Sequence, residues 1–283
     1  MAKAPTNIAA SVRQKLLNLA RDNERDFQAL LIAFGLERLI YRLSISDHRD
    51  QFVLKGGMLV TLWTLDPGRF TLDADFLSFG ESDEDSLKKR FAQILALDGN
   101  DGLDFATAKI TAKPIRENQV YGGVRLRTTA LLGKTQIPIT IDIGFGDILT
   151  SPEYEIEYGS LLDLPSANIR AYSPATVIAE KFQAIVALGI VNGRMKDYYD
   201  IWAIPKAVDI PMEELTNAIR STFKQRKTEI PQERPSGLSL EFSTDPAKAT
   251  QWKAYAESTN LENVTLEQVS NEIWSYLEPI CAS

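Results

Sequence analysis

Three aspartates carry the most specific chemistry in this chain. In Arg69-Phe70-Thr71-Leu72-Asp73-Ala74-Asp75-Phe76, polar and apolar residues alternate. A strand sends successive side chains to opposite faces. The spacing therefore predicts a strand over 70–77, with Thr71, Asp73 and Asp75 on one face and Leu72, Ala74 and Phe76 against a core. Two carboxylates one residue apart lie roughly 6–7 Å apart at Cα and repel unless a cation bridges them. An oxygen-only pair suits a hard cation, Mg²⁺ or Mn²⁺, that keeps waters and accepts substrate phosphate oxygens. Two solvated acids on an exposed strand face would show the same spacing. In Ile137-Pro138-Ile139-Thr140-Ile141-Asp142-Ile143, the isoleucines share one face and Thr140 and Asp142 the other. Paired in one sheet with the first segment, Asp142 completes a three-carboxylate site for one or two metals.

Other residues suit phosphate. Lys55-Gly56-Gly57 lies between a short apolar run and a helical pattern. Glycines at a helix start let backbone N–H groups approach an anion, although the P-loop spacing is absent and a tight turn reads the same way. Further on, Lys181 interrupts an apolar stripe formed by Ile178, Ile185 and Leu188. It either snorkels to solvent or meets a triphosphate. The run Gly193-Arg194-Met195-Lys196-Asp197-Tyr198-Tyr199-Asp200 contains the helical pairs Arg194/Asp197 and Lys196/Asp200. Lys224, Arg226 and Lys227 form a basic helix end suited to an RNA backbone or simply to solvent.

Composition removes most rival chemistries. The chain has 283 residues, one histidine (His48), one cysteine (Cys281) and a formal net charge of −7. Multi-histidine metal centres, cysteine clusters and a disulfide framework are excluded. His48 sits in a polar turn and reads as a surface residue. The acidic total disfavours a nucleic-acid coating protein, though a local basic groove can hide inside it. No secretion signal or run of about 18 apolar residues is visible, so the expected location is the cytoplasm and no membrane partner is expected.

The elements that must position these residues follow from periodicity. Helices are expected at 8–22, 25–43 and 58–65, and at 82–97 behind an acidic cap. Strands are expected at 52–54, 70–77, 105–111, 121–131 and 136–143, with an edge strand at 153–158. Beyond Pro165 the pattern is helical: 174–190 behind Ser173-Pro174, then 194–207, 212–226, 247–258 and 265–278, with a long loop over 228–245. The fold class is α+β: a mixed sheet with flanking helices over 1–168, then a helical domain over 169–283.

These motifs, in this order, resemble the AbiEii family of nucleotidyltransferase toxins, within the polymerase-β-like superfamily. Phe52-Val53-Leu54-Lys55-Gly56-Gly57 is similar to its glycine motif, and Arg69-x-Thr71-x-Asp73-x-Asp75 to its metal motif. Asp142 falls where the third carboxylate belongs. Glu180-Lys181 and Arg194-x-Lys196-Asp197-x-x-Asp200 resemble two later motifs, and Glu37–Leu43 a helix of one branch. The likeness covers residues 10–207. In one departure, Gly56-Gly57 stands where the superfamily has Gly-Ser, so backbone amides replace the hydroxyl.

The resemblance implies transfer of NMP from an NTP to an acceptor hydroxyl, with the 3′ end of a tRNA as acceptor, translation blocked and a cognate antitoxin as partner. Asp73, Asp75 and Asp142 would hold Mg²⁺ or Mn²⁺. Lys55, Gly56, Gly57, Arg69, Thr71, Arg194, Lys196 and Asp200 would bind NTP. Lys181 would neutralise the leaving pyrophosphate, with Asp197 positioning it or the nucleotide. The alternatives are a nucleotidyltransferase acting on a protein or small-molecule hydroxyl, and a catalytically silent nucleotide- or RNA-binding module.

Overall fold

A computed structural model describes residues 7–66, 68–79, 83–105, 109–115, 122–146, 154–259, 261 and 263–282. In chain order the elements are α1 (Ile8–Asp22), α2 (Phe27–Ser44), β1 (Phe52–Lys55), α3 (Gly57–Thr64), β2 (Asp73–Ser78), α4 (Glu84–Leu95), β3 (Leu103–Asp104) and β4 (Thr111–Ile115). They continue with β5 (Gly123–Leu132), β6 (Thr135–Phe145), β7 (Glu155–Tyr158), β8 (Ala167–Arg170), α5 (Pro174–Leu188), α6 (Met195–Ala207), α7 (Met212–Gln225), α8 (Leu240–Thr244), α9 (Pro246–Ser258) and α10 (Leu266–Cys281). The chain forms two compact units. One comprises the residues up to Leu59 and most of Phe70 to Ala171; the other comprises Val60–Arg69 and the chain from Tyr172 onward.

The first unit is built on a mixed sheet of order β1-β2-β6-β5-β3, with β4 also pairing β5. β2 runs parallel to β6, and the pairs β1/β2 and β5/β6 are antiparallel. The expected mixed sheet with flanking helices is what forms. Ile137, Ile139, Ile141 and Ile143 are all buried, each contributing on the order of 1.5–3 kcal/mol. α2 lies against this face because residue 35 is glycine: a Cβ there would come within 2.7 Å of Ile139 Cδ1. The strand carrying Asp142 is thus pinned from behind.

The Glu37–Leu43 segment lies within α2, and its charges are buried. Arg42 donates Nη1 and Nη2 to the two oxygens of Asp101 at 2.5 and 2.9 Å, and Arg38 Nε donates to Asp101 at 3.1 Å. Glu37 accepts from Ser160 Oγ and from the Leu161 amide. Burial raises the Glu37 pKa, only partly offset by those donors. These residues tie α2 to two connecting segments rather than facing the acids at 73, 75 and 142.

Four local expectations change. The strand expected from Phe70 begins at Asp73, so Thr71 precedes it and Leu72 is 53% exposed rather than core. The strand expected over 105–111 is replaced by β3 and β4, and residues 106–108 lie outside the described residues. The expected loop at 228–245 contains α8, and β8 was not anticipated. The edge strand expected over 153–158 is β7, from Glu155; residue 153 lies outside the described residues, as do Pro67, Ser82 and Asp147.

The second unit is helical. Ser173 caps α5 by accepting from the Thr176 amide, and Pro174 occupies the first turn. Pro174–Val191 is long and apolar enough by length and composition to cross a membrane. Its apolar side chains Ile178, Phe182 and Ile185 are nevertheless buried in this unit, and Phe182 packs on Phe223 of α7.

Candidate active site

The sheet register assembles the acids. Asp73 lies opposite Thr140, and Asp75 opposite Asp142, across the parallel pair β2/β6. Asp73, Asp75 and Asp142 are half-buried, and one oxygen from each lies within 4.8 Å of the others. Among the described residues no histidine or cysteine joins them. An all-oxygen set fits Mg²⁺ or Mn²⁺ rather than a borderline metal such as zinc.

Their neighbours keep these oxygens in place. Thr71 Oγ1 donates to Asp73 Oδ1 at 2.6 Å. Gly56 ends the turn between β1 and α3 with φ +72°, and a Cβ there would fall 2.0 Å from Asp75 Oδ2. Glycine is therefore required twice: for the left-handed backbone and for the space that the Asp75 carboxylate fills. Gly57 is the first residue of α3, and Lys55 lies opposite Asp75 on β1.

Arg125 on β5 was not anticipated. It lies opposite Asp142 and donates Nε to Oδ1 at 2.7 Å and Nη2 to Oδ2 at 2.5 Å. Lys55, Asp75, Asp142 and Arg125 thus form one row across four strands, with charges plus, minus, minus, plus. The outer cations offset the repulsion between the central acids. Each carboxylate oxygen accepting from Arg125 retains a second lone pair for a cation. The alternation Val124-Arg125-Leu126-Arg127 put Arg125 on the polar face of a strand, but only strand pairing identifies its partner.

In the helical unit Lys181, Asp197, Asp200 and Arg69 form one cluster. Lys181 Nζ lies 2.6 Å from Asp197 Oδ1 and 2.9 Å from Asp200 Oδ2. Arg69 forks Asp200, with Nε to Oδ1 at 2.7 Å and Nη2 to Oδ2 at 2.8 Å. Burial alone would raise the Asp200 pKa, but Lys181 and Arg69 together hold it below the ordinary carboxylate value. Burial would lower the Lys181 pKa, and the two aspartates more than reverse this, raising it. Tyr199 donates its hydroxyl to Asp66 beside this cluster.

Asp200 therefore pairs with Lys181 and Arg69 rather than with Lys196, one helical turn before it; Lys196 and Arg194 are exposed. Lys181 is held by carboxylates instead of reaching solvent along the helix edge. Glu180 accepts from Tyr172 and pairs with Arg226 at 3.0 Å, so Arg226 stabilises this unit. The structure thus groups Lys55, Gly56, Gly57, Thr71, Asp73, Asp75 and Asp142 in one unit, and Arg69, Lys181, Arg194, Lys196, Asp197 and Asp200 in the other.

Comparison with known sequences gives this arrangement its family. The profile described as "Nucleotidyl transferase AbiEii toxin, Type IV TA system" matches residues 38–273. This chain belongs to the AbiEii family. The family is one of nucleotidyltransferase toxins of type IV toxin–antitoxin systems, so an antitoxin partner belongs with it. The AbiEii match runs from within α2 to within α10 and so includes all three aspartates. Among solved structures, a candidate nucleotidyltransferase from H. pylori aligns over 90% of this chain and 96% of its own, with 16% identity and a TM-score of 0.54. That likeness is one of fold. A second Helicobacter pylori protein, JHP933, aligns over 90% of this chain and 93% of its own, with 16% identity and a TM-score of 0.48. No curated protein sequence matches the chain.

Proposed function

We propose that this AbiEii-family chain transfers a nucleoside monophosphate from an NTP to the 3′-hydroxyl of a tRNA in the cytoplasm, arresting translation until its antitoxin intervenes. One observation supports the reading above others: three oxygen ligands held on adjacent strands by register, with glycine-made space behind Asp75. A divalent cation held by Asp73, Asp75 and Asp142 would supply neutralisation of the triphosphate and activation of the attacking hydroxyl. In the transfer, the acceptor hydroxyl releases its proton to solvent as its oxygen bonds to the α-phosphorus, the bond from that phosphorus to the α,β-bridging oxygen breaks, and pyrophosphate leaves with that oxygen. Asp142 orients the acceptor side, while Asp73 and Asp75 face the triphosphate. Gly56, Gly57 and Lys55 cradle its phosphates, and Thr71 fixes the rotamer of Asp73. Lys181, Arg69, Arg194 and Lys196 are proposed as nucleotide contacts of the helical unit, with Asp197 and Asp200 positioning Lys181.

The test is incubation of the purified protein with each α-labelled NTP, Mg²⁺ and total RNA. Label enters tRNA with the wild type and not with Asp73→Ala. Label entering only protein or small molecules would overturn the acceptor, and no transfer at all would overturn the reaction. In cells, induced wild type arrests growth and Asp75→Ala does not.

A further inference from the structure

On the side of the acids away from β1, the same sheet face becomes basic. β4 pairs β5 with Lys113 opposite Arg125 and Thr111 opposite Arg127. β5 in turn sets Arg125 opposite Asp142 and Arg127 opposite Thr140. Directly opposed residues share a face, so Lys113, Arg125 and Arg127 flank the aspartates on one surface. Lys113 and Arg127 are exposed, whereas the intervening Val124, Leu126, Thr128 and Ala130 are buried. Arg125 has a carboxylate to answer it. Arg127 has threonines as cross-strand neighbours on both sides, and Lys113 sits opposite another cation. Like charges placed across strands cost stability, and among the described residues no carboxylate stands opposite either residue.

We infer that Lys113 and Arg127 form a docking surface for the phosphate backbone of the acceptor RNA. The two sides of the aspartates differ in a way that assigns them. On the β1 side, a glycine turn and helix start suit the compact, multiply charged end of a nucleotide. On the β5 side, cations spread over the polar face of two strands, with Arg125 and Arg127 about 6–7 Å apart along one of them. That extended pattern matches a polyanion running past the site, its terminal hydroxyl delivered to Asp142. It also places a local basic surface within a chain of net charge −7. The inference rests on the RNA-acceptor reading above and locates that acceptor.

The experiment measures RNA binding by fluorescence anisotropy over a salt series without metal, using a tRNA transcript, alongside Mg²⁺-NTP binding by calorimetry. For Lys113→Gln/Arg127→Gln, tRNA binding at about 0.1 M salt weakens roughly tenfold. The slope of log K against log salt falls by about 1.4, two phosphate contacts at about 0.7 each. NTP affinity stays at the wild-type value. Lys113→Arg/Arg127→Lys retains the slope, which separates charge from folding. Lys15→Gln/Lys89→Gln removes the same net charge elsewhere in this unit and also retains it. An unchanged slope in the first variant, or an equal drop in the Lys15/Lys89 variant, would overturn the surface while leaving transfer to RNA intact. A wild type that labels only non-RNA acceptors would instead overturn the acceptor reading beneath it.

Discussion

Arg125 grips Asp142 with two parallel hydrogen bonds, one to each carboxylate oxygen. The third carboxylate of the aspartate triad is therefore neutralised by an arginine from the next strand, and any cation bound by the triad would meet that positive charge. Arg125→Gln removes it while leaving Asp142 in place. Mn²⁺ binding without nucleotide, followed by electron paramagnetic resonance, is expected to tighten about tenfold, or about 1.4 kcal/mol. An unchanged or weaker affinity would show that Arg125 serves to orient Asp142 rather than to compete for it.

Gly56 and Asp75 make a steric prediction. Gly56→Ala costs on the order of 1–2 kcal/mol for the left-handed backbone, read as a lowered urea midpoint. The added methyl displaces the Asp75 carboxylate, so Mn²⁺ affinity and nucleotidyl transfer fall at least tenfold in protein that remains folded. A folded variant with wild-type metal affinity would refute the spacer role.

Asp200 is fully buried between Lys181 and Arg69. Asp200→Ala leaves two cations without their shared partner, a loss on the order of 3–5 kcal/mol. Chemical unfolding monitored by circular dichroism would detect it. A loss under 1 kcal/mol would mean that the cluster relaxes into solvent.

The same cluster predicts a pH dependence. The Asp200 pKa is depressed in the folded state, so its contribution is present above the unfolded value of about 3.9 and is lost as pH falls through the lower folded value. Lys181 is raised, so its contribution is present below about 10.4 and is lost only as pH rises through its higher folded value. Denaturation series from pH 7 downward should therefore show wild-type stability falling below about pH 4, with a smaller fall in Asp200→Asn. Parallel curves for the two proteins would remove Asp200 from the acid limb.

Period-two alternation made Asp73, Asp75 and Asp142 legible, because a strand face is a local property of the chain. It also made the core isoleucines behind Asp142 legible. Strand pairing is non-local, which is why Arg125 went unrecognised beside Asp142 and why Lys113 and Arg127 had no neighbours to interpret them. Helical spacing proposed Lys196 as the partner of Asp200, whereas Arg69, separated from it by 131 positions, takes that place together with Lys181. Alternation also extended the strand back to Phe70; the exposed Leu72 shows that a short periodic run does not mark where pairing begins.

Joint action of Asp73, Asp75 and Asp142 as one site for nucleotidyl transfer to tRNA is open to a direct assay. The measurement is the initial rate of α-labelled NMP incorporation into purified tRNA, with pyrophosphate followed in the same reaction. The wild type should release one pyrophosphate per nucleotide added, and Asp142→Asn should lose at least a hundredfold in both products with the fold intact by circular dichroism. Incorporation by Asp142→Asn at the wild-type rate, or a wild type that adds nothing to tRNA with any of the four nucleotides, would contradict it.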